Sequence, residues 1–562
     1  MCSRVRYVRC ATAFVAIVES TYSIGAEVKR MTTATAVLAA ATLTLAACGG
    51  GAGGDESESA SGQGGRTPEE AGRCTEDKAG GTITMGEYVM LPSFAPGQGH
   101  YGIRGGAQSA AVYDRLMRWN PEASEYEPQL ADSLESSEDH TVWTLKRRDG
   151  VSFSNGDPLT ASDVEFTMDL HMDPKLGSLA LTDVEQIEST RVVDPLTVEF
   201  TLAEPWVDFP FALSRSAGEV IPEKAYTEAG PEAWKDNPIG AGAYVLDRKI
   251  PNQEVVLKPN PNYYGGPVCP TLRFISIPGS QGTLEAYQKG EIQVGYLRGA
   301  EFISQAWDAD EQGFYEAISS GRSLVMNNGK AGYDGILTDV RARQAVAHAL
   351  DRDLMNDRLT DGRGQATSSL LAESSRFYDG QEGPEFDAEK ATALVDELKQ
   401  EKDWDGDLTL VTNTSPENVQ TGVVVKALLD SAGFDVTLEN VPASQQSAKL
   451  FSGDFEIIIG GMNPSDADAS ASFLANLVPG GSTNISGVDD PELAEAARAL
   501  KSVETPDEQK AAFHRLQEEY NRVMPFAVFA NAEEYVVVDE TVKGVKPTVT
   551  STMLFDGAYI EP

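Results

Sequence analysis

Histidine is scarce in this chain. Five are spread over 562 residues, at positions 100, 140, 171, 348 and 514. None falls in a His-Glu-x-x-His zinc helix, and no two lie near enough in sequence to form a local ligand pair. Each reads as a surface or packing residue. Motifs of group-transfer chemistry are absent as well: no Gly-x-Ser-x-Gly elbow, no Walker loop, no dinucleotide fingerprint. Asp403-Trp404-Asp405-Gly406-Asp407 has the look of a calcium loop, but its twelfth position is Thr414 instead of the bidentate Glu. It reads as a solvated turn, and neither a metal nor a cofactor is expected. Positive charge is short too. The chain sets 45 Lys and Arg against 86 Asp and Glu, a formal charge of −41, which repels a phosphate backbone and excludes nucleic acid as a default partner.

Long apolar runs are missing except near the start. Residues 32–47 are small and apolar and end Leu45-Ala46-Ala47-Cys48-Gly49. That length suits a signal-peptide h-region and is too short for a stable span. Leu-Ala-Ala-Cys resembles a bacterial lipobox, whose Cys is lipidated and becomes the mature N-terminus. Residues 1–47 are therefore read as a signal peptide and Cys48 as the lipidation site. Lys29 and Arg30 supply the positive charge such a signal needs, which puts the true start near Val28. The Gly/Ser/Glu tract that follows cannot build a core, so 48–75 reads as a lipid-anchored flexible linker. An exported, membrane-tethered body is the expectation.

Cysteine is rare after that point. Beyond Cys48 only Cys74 and Cys269 remain. An even pair in an oxidising compartment allows a Cys74–Cys269 disulfide; two buried thiols are the alternative. A bridge would put those two segments in one domain.

What is plentiful is ordinary globular sequence. Hydrophobic residues make up 41% and aromatics 8%, and the length calls for two or three domains. A strand opens the body at Gly81–Gly86, and a helix near Ala107 carries Val112, Leu116 and Met117. Val142–Lys146 alternates as a strand. After the turn Asn155-Gly156-Asp157-Pro158, Thr160 caps a helix to about His171. Ile187–Val193 and Leu196–Leu202 flank Asp194-Pro195 as strands. Asp339 caps Val340–Leu350 and Asp387 caps Ala388–Lys399. The run Asp407–Thr412 (strand), Gln420–Ala432 (helix), Phe434–Val441 (strand) and Phe455–Ile459 (buried strand) has the rhythm of an α/β domain with a mostly parallel sheet. Asp490-Pro491 and Thr505-Pro506 start two helices, the second with a Thr505/Glu508 capping box.

Several of these stretches resemble, in order, the peptide/nickel branch (family 5) of ABC-importer solute-binding proteins. The resemblance rests on Tyr126–Leu134, Trp143–Val164, Asp194–Phe200, Asn237–Val245, Asn260–Tyr264, Val340–Arg352 and Asn484–Leu493, and covers roughly residues 80–545. It implies an α/β, two-lobed periplasmic-binding-protein-like fold (type II, Venus-flytrap) with an extra domain inserted in lobe one. Lobe one would combine 76–118, 237–322 and 526–562, the inserted domain 119–236, and lobe two 323–525. The implied role is capture of a small solute in an interlobe cleft, with closure read by the permease subunits. The protein would act as a monomer on the outer face of the cytoplasmic membrane. An oligopeptide or dipeptide is the leading ligand; an oligosaccharide, an opine or a metal chelate remain alternatives, with an exported hydrolase using a carboxylate pair behind them.

The resemblance also implies a site. Peptide binders of this family place an Asp in the loop after the short apolar strand, where it accepts the ligand's α-ammonium. Counting back from Phe473-Leu474 puts Asp466 there, with Asp468 as the second candidate. The loop departs from the pattern: Met462 stands where a Trp is usual, and Ile459 where some oligopeptide binders carry an Arg for the peptide carboxylate. Strand C-terminal edges add Tyr88, Asn413 and Thr414 as softer candidates, and Trp404 as an aromatic wall.

Overall fold

The computed structural model describes residues 65–99 and 102–561. The signal peptide, the start at Val28, the lipidation site Cys48, most of the linker and His100 lie outside the described residues.

The body is organised by one sheet of ten strands: β1 (Thr82–Glu87), β2 (Tyr244–Ile250), β3 (Glu254–Pro259), β4 (Thr271–Ser276), β5 (Val294–Arg298), β6 (Gly313–Met326), β7 (Asp407–Asn413), β8 (Asp435–Val441), β9 (Ile457–Gly460) and β10 (Phe526–Val538). Their order is β8-β7-β9-β6-β10-β5-β1-β4-β3-β2. Parallel pairs run β8/β7/β9 at one end and β5/β1/β4 nearer the other. Between them β6 and β10 pair antiparallel along most of their length, from Gly313↔Val537 to Val325↔Phe526. The register slips between Ile318 and Ser323, so the ladder is interrupted at its middle.

The three largest hydrophobic cores attach to this frame. One draws its buried residues from Leu324 to Phe529 and packs around β7, β8 and β9. A second surrounds β1 to β5 with the helix Gly106–Tyr113 and returns to the chain end through Met553 and Phe555. The third fills the stretch from Leu116 to Ala241, around a four-stranded antiparallel sheet made of Ala131–Ser136, Val142–Arg147, Ile187–Asp194 and Thr197–Leu202. A residue boundary at 322/323 falls inside β6, because this strand crosses from one core to the other.

Local signals decide where the elements start. Thr160 and Asp163 form a reciprocal capping box on the helix Ala161–Met172, and Thr505 with Glu508 does the same for Pro506–Val523. Asp339, Asp387 and Asp490 each accept from the first turn of their helices. Elsewhere the outcome differs from the sequence expectation. The helix expected to carry Leu116 and Met117 stops at Tyr113, where Asp114 takes a φ of 59° and turns the chain; Met117 opens a strand instead. The helix expected from Gln420 begins at Pro416, because the Ser415 hydroxyl accepts from the Asn418 N–H.

The last ten residues of the expected linker are docked on the body. Arg66 bridges β-fashion to Gln312 and its guanidinium meets Glu540, while the Cys74 N–H donates to Gly557 O. Cys74 and Cys269 are disulfide-bonded, with Cα atoms 5.9 Å apart, and Tyr559 buries the pair. Chain with these partners no longer samples the states of a free coil. Among the described residues no helix is long and apolar enough to cross a membrane.

Candidate functional site

The short strand β9 is fully apolar where it runs through the lobe-two core, and Gly460-Gly461 at its end lets the chain pass tightly over Gly321. Met462 then turns inward: it is 5% exposed and packs in the core, its carbonyl accepting from Ser472 Oγ. A side chain so enclosed lines no open surface, which removes it from the ligand wall.

Asp466 is next and is held in a cradle. Its Oδ1 accepts from Ser375 Oγ at 2.6 Å and its Oδ2 from the Arg376 backbone N–H at 3.2 Å, while Arg376 Nε donates to the Asp466 carbonyl at 2.8 Å. Burial pushes its carboxyl above the ordinary range, against the pull of those donors and of Arg376. Ser375 and Arg376 lie in an irregular segment without a motif, and for that reason they escaped the sequence reading.

Asp468 is committed elsewhere. It caps the helix Ala469–Leu477 through the Ala471 N–H, accepts from Ser470 Oγ, and receives the Trp206 indole N–H at 2.8 Å. It is 1% exposed. A carboxylate with three donors in a closed setting is a latch between the inserted domain and lobe two, and it is set aside as a ligand group. The same seam carries Tyr126 Oη donating to the Ala467 carbonyl at 2.5 Å, Val207 N–H to Lys501 O at 3.0 Å, and Arg376 stacked 5.3 Å from the Trp119 ring.

The softer candidates divide. Asn413 spends its amide on Gln446 and its Oδ1 on the Ser415 N–H, and Thr414 pairs its backbone with Val441. Trp404 precedes β7, whereas Asn413 ends it, so about 20 Å of strand separates them. The Trp404 ring packs on Phe434, 5.9 Å away, and its Nε1 caps the Asp407 carbonyl. It therefore supports the far edge of the sheet and cannot wall the same pocket.

Tyr88 stands in better company. Its hydroxyl meets Ser280 Oγ at 2.5 Å and its ring lies 6.5 Å from that of Tyr296. Burial raises the phenol, with Arg298 and Glu534 nearby in opposition. Around it the structure gathers acids that the sequence reading did not single out. Glu316 on β6 and Glu534 on β10 are register partners on the two crossing strands. Arg298 Nε donates to Glu534 at 2.5 Å. Ser551 Oγ donates to Glu316. Burial raises the Glu316 carboxyl to about 7, and the charges of Glu534 and Asp466 add to the lift while Arg298 opposes it. One readable signal existed: Glu533-Glu534 puts two adjacent acids into the mostly apolar run of β10.

Asp466 and Glu316 thus lie near enough for the charge of the first to raise the proton affinity of the second. Among the described residues, no cluster of three or more His, Cys, Asp or Glu is arranged to hold a metal. Carboxylates oriented in this way by hydrogen bonds have the chemistry to receive a positive group.

Residues 125–484 match the family of bacterial extracellular solute-binding proteins, family 5. The chain belongs to this family. A Brucella ovis protein named as an ABC transporter peptide-binding protein is 24% identical over 481 residues, which is 82% of this chain and 89% of the relative. Among solved structures, the Helicobacter pylori periplasmic binding protein DppA with the peptide STSA superposes with a TM-score of 0.72 at 21% identity, over 87% of this chain and 99% of that one. NikA of Brucella suis with Fe(III)-EDTA gives 0.70 at 21% identity, over 86% and 100%. The fold is that of the two-lobed periplasmic binding proteins, and the protein is an extracytoplasmic solute-binding protein.

Proposed function

We propose that the protein captures a peptide by its free α-ammonium in the cleft between the two lobes and delivers it to the permease subunits of an ABC importer. The observation that carries this reading is Asp466: a largely buried carboxylate, oriented by Ser375 and Arg376, with its proton affinity raised by desolvation. A buried ammonium needs such a partner, and the carboxylate in turn needs a cation to ionise without penalty. The name of the Brucella relative and the peptide in the DppA structure point the same way. The lobes would close over the ligand along the Trp206–Asp468 seam, and a lipid on Cys48 would hold the body at the outer face of the cytoplasmic membrane.

The test is thermal denaturation with short peptides and their N-acetylated forms. At 100 times its dissociation constant a ligand adds roughly 2.7 kcal/mol to stability. The free peptides are expected to raise the midpoint, and acetylation to abolish the rise. Equal rises with both forms, or a sugar or chelate recovered in native mass spectrometry of the purified protein, would overturn the peptide assignment.

A further inference from the structure

Behind Glu316 and Glu534 lies a buried polar group, brought there by the pairing of β1, β5 and β10. Glu87 ends β1 fully buried, at 0% exposure, and neither of its oxygens has a hydrogen-bond partner of good geometry. Gln108, on the helix Gly106–Tyr113, is equally buried, and both its oxygen and its nitrogen lack one as well. The two side chains are neighbours: the Gln108 amide and the Gly105 N–H lie close enough to favour the Glu87 anion. Thr552, 1% exposed, leaves its hydroxyl unpartnered on a strand that packs against the same helix. Tyr296 closes the floor by donating to the Ser551 carbonyl at 3.0 Å.

Buried polar atoms in native proteins are almost always well paired, so a contiguous group this poorly paired marks a place where something else belongs. The charges say what. Glu316 and Glu534 face one guanidinium, that of Arg298, which is 42% exposed and already spent on Glu534, while the groups acting on Glu87 include no cation. Glu534 raises the proton affinity of both Glu87 and Glu316, and burial raises it further. Taking three carboxylates out of water against one cation is unfavourable by several kcal/mol per unpaired ion. These acids are not arranged as a metal site, which leaves an organic cation. The amide oxygen of Gln108 and the Thr552 hydroxyl can accept the remaining N–H groups of a donor-rich planar fork.

We infer that the Glu87–Gln108–Glu316–Glu534 pocket is a second cation subsite, which takes the guanidinium or ammonium side chain of a basic peptide. The inference rests on the peptide reading above and narrows it: the ligand presents its α-ammonium to Asp466 and a basic side chain to the lobe-one acids. Discrimination comes from polar pairing, since a neutral isostere would leave the carboxylates unmatched. Binding a cation there drives the acids to their ionised forms, so the complex sheds protons as it forms.

The experiment is titration calorimetry on the purified protein with the three tripeptides that place one Arg among two Ala residues, each against its citrulline counterpart. Citrulline keeps the shape of arginine and removes its charge. At least one Arg peptide is expected to bind tenfold or more tighter than its citrulline partner, with the ratio falling to within about threefold in Glu87→Gln. Repeating the wild-type titrations near pH 7 in two buffers of different ionisation enthalpy requires no variant; it is expected to show proton release for the Arg peptide and none for citrulline. Equal affinity within every pair, or no proton release, overturns the subsite while leaving peptide capture standing. Failure of both series to bind overturns the peptide reading and the subsite with it.

Discussion

The indole N–H of Trp206 donates to Asp468 at 2.8 Å across 262 residues of sequence, joining the inserted domain to lobe two. Lys501 lies 4.8 Å above the Trp206 ring, and the neighbouring Val207 N–H donates to the Lys501 carbonyl. A hydrogen bond to a charged group contributes about 1.5–3 kcal/mol. Trp206→Phe retains most of the packing and loses that bond. Ligand dissociation measured by stopped flow is expected to accelerate about tenfold or more, with the unliganded protein more open in solution scattering. An unchanged dissociation rate would show that the contact does not hold the closed form.

Asp466 is tested by Asp466→Asn, which preserves the acceptor for Ser375 and removes the charge. Affinity for free-amino peptides should fall at least tenfold, equivalent to about 1.4 kcal/mol, while the far-ultraviolet circular dichroism stays as in the wild type. Ser375→Ala should weaken binding less, because it removes one orienting donor and leaves the charge.

Stability should depend on pH in a direction set by the cleft. Glu316 holds its proton to about 7, against an ordinary 4.5. The groups facing it are Glu534, Asp466, Arg298 and the Ser551 hydroxyl. A raised carboxyl favours the folded state fully below pH 4.5, and that contribution is lost as pH climbs through 7. Glu533, also raised to about 7 by burial, acts in the same sense. The thermal midpoint of the ligand-free protein is expected to drop between pH 5 and 8, and Glu316→Gln to flatten part of the slope. A steeper slope in the variant would contradict the assignment.

Reduction of Cys74–Cys269 opens a loop of 195 residues. Chain-entropy reasoning puts the contribution of a bridge closing so long a loop at roughly 5 kcal/mol, against about 2–4 for a typical disulfide. Calorimetry with and without reductant should show a lowered midpoint, and Cys74→Ser with Cys269→Ser should reproduce it. The docked segment from Arg66 to Cys74 should then become the first site of proteolytic cleavage.

Much of the frame was legible because it is local. Thr160, Asp387 and Thr505 announce their helices through side-chain oxygens three residues from the N–H they cap, and alternation marks β7 and β8. The site was half legible. Asp466 was reachable as a candidate from its distance to Phe473-Leu474, and Tyr88 from its position at a strand end. Glu87, Glu316, Glu534 and Gln108 come from four separate segments and meet only after the sheet assembles, so no spacing could report them. Asp468 and Asn413 failed as ligand groups for the opposite reason. Each is polar and well placed, yet its own backbone neighbourhood claims it first.

The interrupted ladder of β6 and β10 has a mechanical meaning. The lobes share a continuous sheet, so they cannot slide apart; they can only fold about the two strands that join them. The slip between Ile318 and Ser323 interrupts the ladder there, and the Ser320 N–H turns to the Asn531 side chain instead of to the partner strand's backbone. Glu316 sits two residues from it, opposite Glu534. A positive charge settling between these two acids would press on the pivot itself, so that recognising the cargo and turning the hinge become a single physical event.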